Sequence, residues 1–395
     1  MTRMTATALL CLALPACAQD GGDRGARNTA FEPAFPEQFR APLENSGVAV
    51  ETTVVAGGLQ HPWAVAALPD GGFLVTERSG ALRHVGASGD VSGPLAGVPQ
   101  VFAQRQGGLL DVKLGPDFAS DRMVYLTYAK PTGGGRSATA AGRGRLNEDM
   151  TALEGFEDIF VQDPPSATAA HYGSRIVFDG AGHAFVTTGE HFTQAERQYA
   201  QDLDKTYGKV VRIGLDGSVP SGNPFAGQAG AKPEIWSYGH RNVQSAVMRG
   251  GQLWTVEHGP QGGDELNRPE PGANYGWPVV SYGQNYQGTP VGSGEASAGE
   301  FTEPVYWWDP VIAPGDIALV DGGAFPAWQG DFLIGGLVAP GIVRLAMDGD
   351  RVAAEERILT DYGRVRDVEM LPDGSFVFAT DYADGEIVRV TPAGG

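Results

Sequence analysis

The chain has 395 residues, 42% of them hydrophobic and 19% charged, a balance that excludes a disordered polymer and permits a large buried core. Its 58 glycines and 27 prolines exclude a helical architecture and favour many short strands joined by tight turns. A formal net charge of -19 argues against nucleic acid and against an anionic membrane face, and agrees with a solvated surface and bound cations.

The first expected element is a targeting segment over residues 1–18. Arg3 precedes a short apolar run, Ala6 to Leu14, too short to span a bilayer. Two processing readings compete. Leu14-Pro-Ala-Cys17 resembles a bacterial lipobox, which would leave Cys17 lipidated, whereas Ala16-Cys-Ala18 reads as a small-residue peptidase site. Both predict export to the periplasm, the first adding a lipid anchor to the outer membrane as the sole membrane contact. The only cysteines, Cys11 and Cys17, lie in this leader, so the folded part is expected to rely on core burial and metal rather than disulfides. Residues 19–46, rich in Gly, Pro and charge, read as a flexible tether.

From residue 47 to 395 one phrase recurs: a strand-like apolar run behind a Gly/Asp turn. The runs are Phe73 to Glu77, Met123 to Tyr128, Ala184 to Thr188, Gln252 to Val256, Asp331 to Ile334 and Ser375 to Thr380. Near-identical turns precede several of them: Leu68-Pro-Asp-Gly71, Phe178-Asp-Gly180 and Leu371-Pro-Asp-Gly374. Asp-Gly supplies the positive φ that a tight hairpin needs. Six such units predict an all-β fold, a six-bladed β-propeller of four-stranded antiparallel blades, with an open sandwich or two domains as the alternative. The Leu-Pro-Asp-Gly phrase at both ends predicts that the first and last blades are neighbours and that the ring closes. A propeller gathers loops from all blades at one mouth, so residues remote in sequence can form one site.

The densest chemistry lies between Glu257 and Pro278, where Glu257, His258, Asp264, Glu265 and Glu270 share a Gly/Pro-bent run. Carboxylate and carbonyl oxygens on such a backbone suit a hard cation such as Ca2+. Gln106-Gly-Gly could offer an amide to a planar polar ligand, although the pattern also reads as a plain turn. His171, just before a strand, is placed for general-base work near neutral pH or for a merely structural role. Tyr238-Gly-His-Arg-Asn242 and Arg364-Val-Arg366 are cationic spots in an acidic chain. At strand period two, Arg364 and Arg366 face one side, suited to a carboxylate ligand or to neutralising Asp361 and Asp367. Tyr282, Tyr286 and Trp307-Trp308 could wall a flat ligand or pack the blades. No phosphate-binding loop, dinucleotide fingerprint, zinc-type spacing or nucleophile elbow occurs.

Together these phrases resemble the PQQ-dependent soluble aldose sugar dehydrogenases of the glucose/sorbosone dehydrogenase family. The matching stretches are His61-Pro-Trp63 with Leu68 to Gly71, Gln106 to Asp111, His171 to Arg175, Gly239 to Asn242, Glu257 to Asn267, Asn274 to Pro278 and Arg364 to Asp367. The resemblance implies hydride transfer from the C1 hydroxyl carbon of an aldose to pyrroloquinoline quinone (PQQ), with a lactone as product. Electrons would pass to an external quinone, dye or cytochrome. By position, His171 looks like the general base and Arg241 like the group that stabilises the developing oxyanion. Gln106, Arg241, Asn242, Tyr286, Arg364 and Arg366 look like cofactor contacts. The carbonyls of Gly259 and Pro260 look like ligands of a Ca2+ that holds the quinone, and Glu265 and Tyr275 like ligands of a second, structural Ca2+. One departure stands out: where relatives often place a Lys after the fifth-blade turn, Gly335-Gly-Leu337 is followed by Val338. A Ca2+-dependent propeller lactonase and a non-catalytic binding propeller are the alternative functions.

Overall fold

The expected second strands are all present, and each occupies the same place in its sheet. The computed structural model describes residues 24–394, so the leader and Cys17 lie outside the described residues. The apolar runs become Phe73–Glu77, Met123–Gly133, His183–Thr188, Gln252–Glu257, Phe332–Gly336 and Phe376–Thr380, the second strand of blades one to six in turn. Every pairing inside the blades is antiparallel. Five blades have four strands; the first has three in regular pairing and is extended only by a Val85–Val91 bridge. The Asp-Gly turns do what the sequence asks of them, with Gly71, Gly180 and Gly374 at φ of 88°, 70° and 81°.

The ring closes by strand exchange between the two ends of the chain. Val50–Leu59 forms the outer strand of blade six, paired with Gly385–Pro392. Six first strands line the axis: Pro62–Ala67, Leu109–Leu114, Gly173–Phe178, Val243–Arg249, Pro314–Leu319 and Val365–Met370. Each touches the first strand of the next blade, the sixth returning to the first. Apolar clusters fill the wedges between blades, such as Trp254, Phe332 and Ile334 between blades four and five.

The axis itself is polar. Arg175, fully buried, lies 2.9 Å from Asp111, 2.9 Å from Asp367 and 3.2 Å from Asp316, drawing blades two, three, five and six onto one guanidinium. Burial, with Asp316 as its neighbour, pushes the Asp367 carboxyl well up, and burial raises that of Asp111 despite Arg175. The alternative partners imagined for Arg364 and Arg366 are therefore corrected: Asp367 belongs to Arg175.

The expected tether is also corrected. From Arg24 onward it is a strap held along blades four and five. Phe39 stacks on Trp307 at 3.7 Å, Leu43 bridges Glu355, and Arg24 pairs with Glu355 at 3.3 Å. Its Gly/Pro/charge composition permits a free chain, but apolar contacts and carboxylate partners on the propeller capture it. Trp307, fully buried between Phe39 and Tyr282, serves packing and not a ligand wall. Among the described residues no helix is long and apolar enough to cross a membrane.

Candidate active site

The motifs spread along the sequence interlock at one end of the axis. Gly239 takes φ 75°, and a Cβ there would fall 2.1 Å from the Asn274 side-chain oxygen, so the turn tolerates only glycine. Tyr238 N donates to Ala273 O, Tyr275 N to Tyr238 O and Trp277 N to Gly239 O, which joins the Gly239–Asn242 turn to Asn274–Pro278. Glu257 then fixes both following residues, accepting from the Arg241 amide at 2.7 Å and contacting His240 Nδ1 at 2.9 Å. Two further ties bring in remote blades: the Gln106 side-chain oxygen accepts from the His171 amide at 2.7 Å, and Asn242 Oδ1 accepts from the Gly173 amide at 3.0 Å.

His171 is 4% exposed and sits at φ 48°, a left-handed conformation held by these ties. Its Nδ1 lies 3.0 Å from Glu190 Oε2, which fixes the tautomer with Nδ1–H donated and Nε2 left as a base. Burial lowers the imidazole pKa; Glu190 works against this and Arg241 with it. Burial would raise Glu190, but His171 and other donors hold its carboxyl below the usual range. The pair is thus neutral His with ionised Glu, ready at neutral pH. Sequence reasoning missed Glu190, since nothing local to Gly189-Glu-His marks it.

A cavity of about 220 Å3 opens over the axis, lined by Gln106, Asn242, His258, Arg364 and Arg366 among others. Arg364 and Arg366 do share one face, as expected, but their common partner is Asp381, at 2.7 and 3.1 Å. Together they hold the Asp381 carboxyl well below its ordinary range, against the opposing effect of burial. The Arg366 Nε is buried with no hydrogen-bond partner, and Nη1 donates to Gln244 at 3.1 Å. Arg78, also missed, lines the same cavity and makes no side-chain hydrogen bond or ion pair among the described residues. Val338, at the position of the expected Lys, is 62% exposed on the rim.

A second hollow of about 280 Å3 adjoins, lined by Glu190, Arg241, Trp277 and Tyr286. Arg241 donates from Nη1 to the carbonyls of His258 at 2.9 Å and Gly259 at 2.7 Å, and its Nη2 lies 3.4 Å from the Tyr286 hydroxyl. Tyr286 is 58% exposed, and Gln106 is exposed as well. Gly259 and Pro260 lie in a loop whose Asp264 carboxyl is pushed up to about 7 by burial, although the Ala313 and Gly259 amides donate to it. Glu265 is likewise pushed well up by burial and by Glu257, the two sharing only the Asn267 amide at 3.0 and 2.8 Å. Tyr275 lies close by in sequence, its hydroxyl donating to Arg268 O at 2.6 Å and its ring stacked on His240.

Such an arrangement defines a class: a propeller with an electropositive cavity over its axis and a buried carboxylate-held imidazole at the mouth. The chain belongs to the glucose/sorbosone dehydrogenase family, whose model matches residues 59–389. It is 45% identical over 349 residues to the aldose sugar dehydrogenase YliI of Escherichia coli strain K12, covering 87% of this chain and 93% of that one. The apo-form crystal structure of the soluble aldose sugar dehydrogenase from Escherichia coli superposes with a TM-score of 0.84 at 43% identity, covering 87% and 99% of the two chains. The PQQ-bound aldose sugar dehydrogenase of Streptomyces coelicolor gives 0.70 at 28% identity, covering 89% and 99%.

Removing the negative charge beside His171 tests the electrostatics. Glu190→Gln is expected to lower kcat roughly tenfold or more. Because Glu190 favours the protonated imidazole, its loss should also shift the acid limb of kcat/KM to lower pH. A pH profile of the two proteins checks both.

Proposed function

We propose that this protein oxidises the C1 hydroxyl of aldoses to lactones with PQQ bound in the cavity and Ca2+ beside it, and passes the electrons to an external acceptor in the periplasm. The observation that carries the reading is a neutral buried base, His171, beside a cavity with unspent guanidinium capacity at Arg366 and Arg78. PQQ is a flat tricarboxylate, so Arg364 and Arg366 suit its anionic edge, while Gln106 and Asn242 offer amides. Tyr286 offers an open ring face above Arg241.

The donor set also fits the cations. Gly259 and Pro260 carbonyls, next to the buried Asp264 carboxyl, which makes no ion pair among the described residues, suit one Ca2+; Gly259 O can serve it while accepting from Arg241, because a carbonyl has two lone pairs. Among the described residues Glu265 makes no ion pair either. Among the described residues no three acid or imidazole side chains converge into a cage, so a second Ca2+ would lean on Glu265 and on backbone oxygens such as that of Tyr275.

When bound, PQQ supplies the hydride acceptor and Ca2+ the Lewis acid that polarises it. The remaining tasks fall to the chain. His171 Nε2 takes the hydroxyl proton while Glu190 steadies the imidazolium that forms. Arg241, pinned by its own carbonyl bonds and by Trp277 at 5.3 Å beneath it, presents positive charge to the substrate oxygen. Titration of the apoprotein with PQQ, with and without Ca2+, tests the cofactor assignment. Tight binding that needs Ca2+ and weakens about tenfold or more in Arg366→Gln is expected, since a charge-assisted hydrogen bond is worth roughly 1.5–3 kcal/mol. Equal affinity in the two proteins would remove Arg366 from the site.

A further inference from the structure

Asp309 is 3% exposed and, among the described residues, makes no ion pair; donors on the strap meet its carboxyl oxygens. Both its oxygens lie 2.9 Å from the Asn28 amide, and they also accept from Asn28 Nδ2 at 2.7 Å, Thr29 N at 2.8 Å and Thr29 Oγ1 at 3.0 Å. Directly behind the carboxylate is Gly262, where a Cβ would come within 2.9 Å of Asp309 Cγ. The Thr29 hydroxyl also lies 3.3 Å from the Tyr282 carbonyl. Behind Tyr282 the packing is equally tight: a Cβ on Gly263 would fall 2.6 Å from Gly283 N, and one on Gly283 would fall 3.0 Å from the Pro260 ring. Gln261 and Gln284 exchange both backbone hydrogen bonds at 3.0 Å, and Gly263 N donates to Trp308 O at 2.8 Å. Strap, Asp309 with Tyr282, and the 259–263 loop therefore form three layers without space for a methyl group between them.

We propose that Asn28 and Thr29 are positioning residues for the cation loop: by capturing Asp309 and backing Tyr282, the strap holds the Gly259 and Pro260 carbonyls in their binding arrangement. The proposal rests on the reading of that loop as the Ca2+ site. Three of the five residues from 259 to 263 are glycine, so the loop loses much backbone freedom when it is ordered. A site built from carbonyls binds well only if that ordering precedes the ion. The ring does not need the strap to close, since Val50–Leu59 already pairs with Gly385–Pro392. Loss of the strap's contacts should therefore show in cation binding ahead of global folding.

The test compares the full chain with Asn28→Ala/Thr29→Ala and with the conservative Thr29→Ser. Ca2+ is titrated against PQQ uptake, and backbone hydrogen exchange is followed in the ligand-free proteins. The double variant is expected to need about tenfold more Ca2+ for half-maximal uptake, the lower end of what supporting residues of metal sites give. Exchange should quicken over 259–263 and 281–285 but not over 207–214 in blade three. Thr29→Ser should match the wild type in both. A lowered thermal midpoint with unchanged Ca2+ requirement and unchanged exchange would overturn the proposal, leaving the strap a simple stabiliser. Wild-type uptake indifferent to Ca2+ would instead overturn the cation reading beneath it, a result distinguishable from the first.

Discussion

His171→Ala is expected to lose about 10²–10⁴ of kcat, the usual worth of a positioned general base, while PQQ affinity stays within a few-fold of wild type. The separation follows from geometry. The imidazole is held by Glu190 at 3.0 Å and, through its backbone, by Gln106, whereas Arg364 and Arg366, the groups proposed to meet the cofactor's carboxylates, are anchored independently on Asp381. Removing the ring therefore takes away the proton acceptor without loosening the cofactor's charged partners. Steady-state rates and a binding titration on the same preparation check it. Near-normal turnover would remove His171 from its role, and loss of both rate and binding would show a collapsed mouth.

Arg175→Leu is expected to cost about 3–5 kcal/mol of stability, because it strands three buried carboxyls on the axis. With the guanidinium gone, Asp111 and Asp367, already pushed up by burial, would retain protons to higher pH than in the unfolded chain. The folded variant then binds more protons than the unfolded one, so its stability falls as pH rises and recovers on acidification. Denaturant unfolding at several pH values reads this directly, with the gap from wild type widest on the alkaline side. Lys113, paired with Glu369 at 3.0 Å, raises the acidity of Asp111 and Asp367 but cannot replace the guanidinium that bridges four blades.

The second strand of each blade was legible because an apolar run behind an Asp-Gly hairpin needs only local chemistry. The first strands were legible only in part, behind His171 and at Arg364-Val-Arg366. They carry Asp111, Arg175, Asp316 and Asp367 into the core, and buried charges paired across the axis break any hydrophobic pattern along the chain. Site residues with a motif around them, such as Gln106, His171 and Asn242, fell together as expected. Glu190 and Asp381 escaped because each acts through a neighbour some way off in sequence, and Arg78 because no partner or motif marks it; Asp381 acts through Arg364 and Arg366 and pairs also with His61, 320 residues away. The strap misled for the same reason. Its composition suits a tether, and the carboxylate that captures Asn28 lies 281 positions downstream.

On the proposed function, a metal-assisted anionic cofactor gripped at the mouth of the ring lets His171 drive sugar oxidation. Dye reduction by glucose, measured on apoprotein supplied with PQQ and Ca2+ singly and together, addresses it most directly. Turnover only when both are present is the predicted result. Lactone hydrolysis that ignores PQQ, or no turnover of either kind, would contradict it.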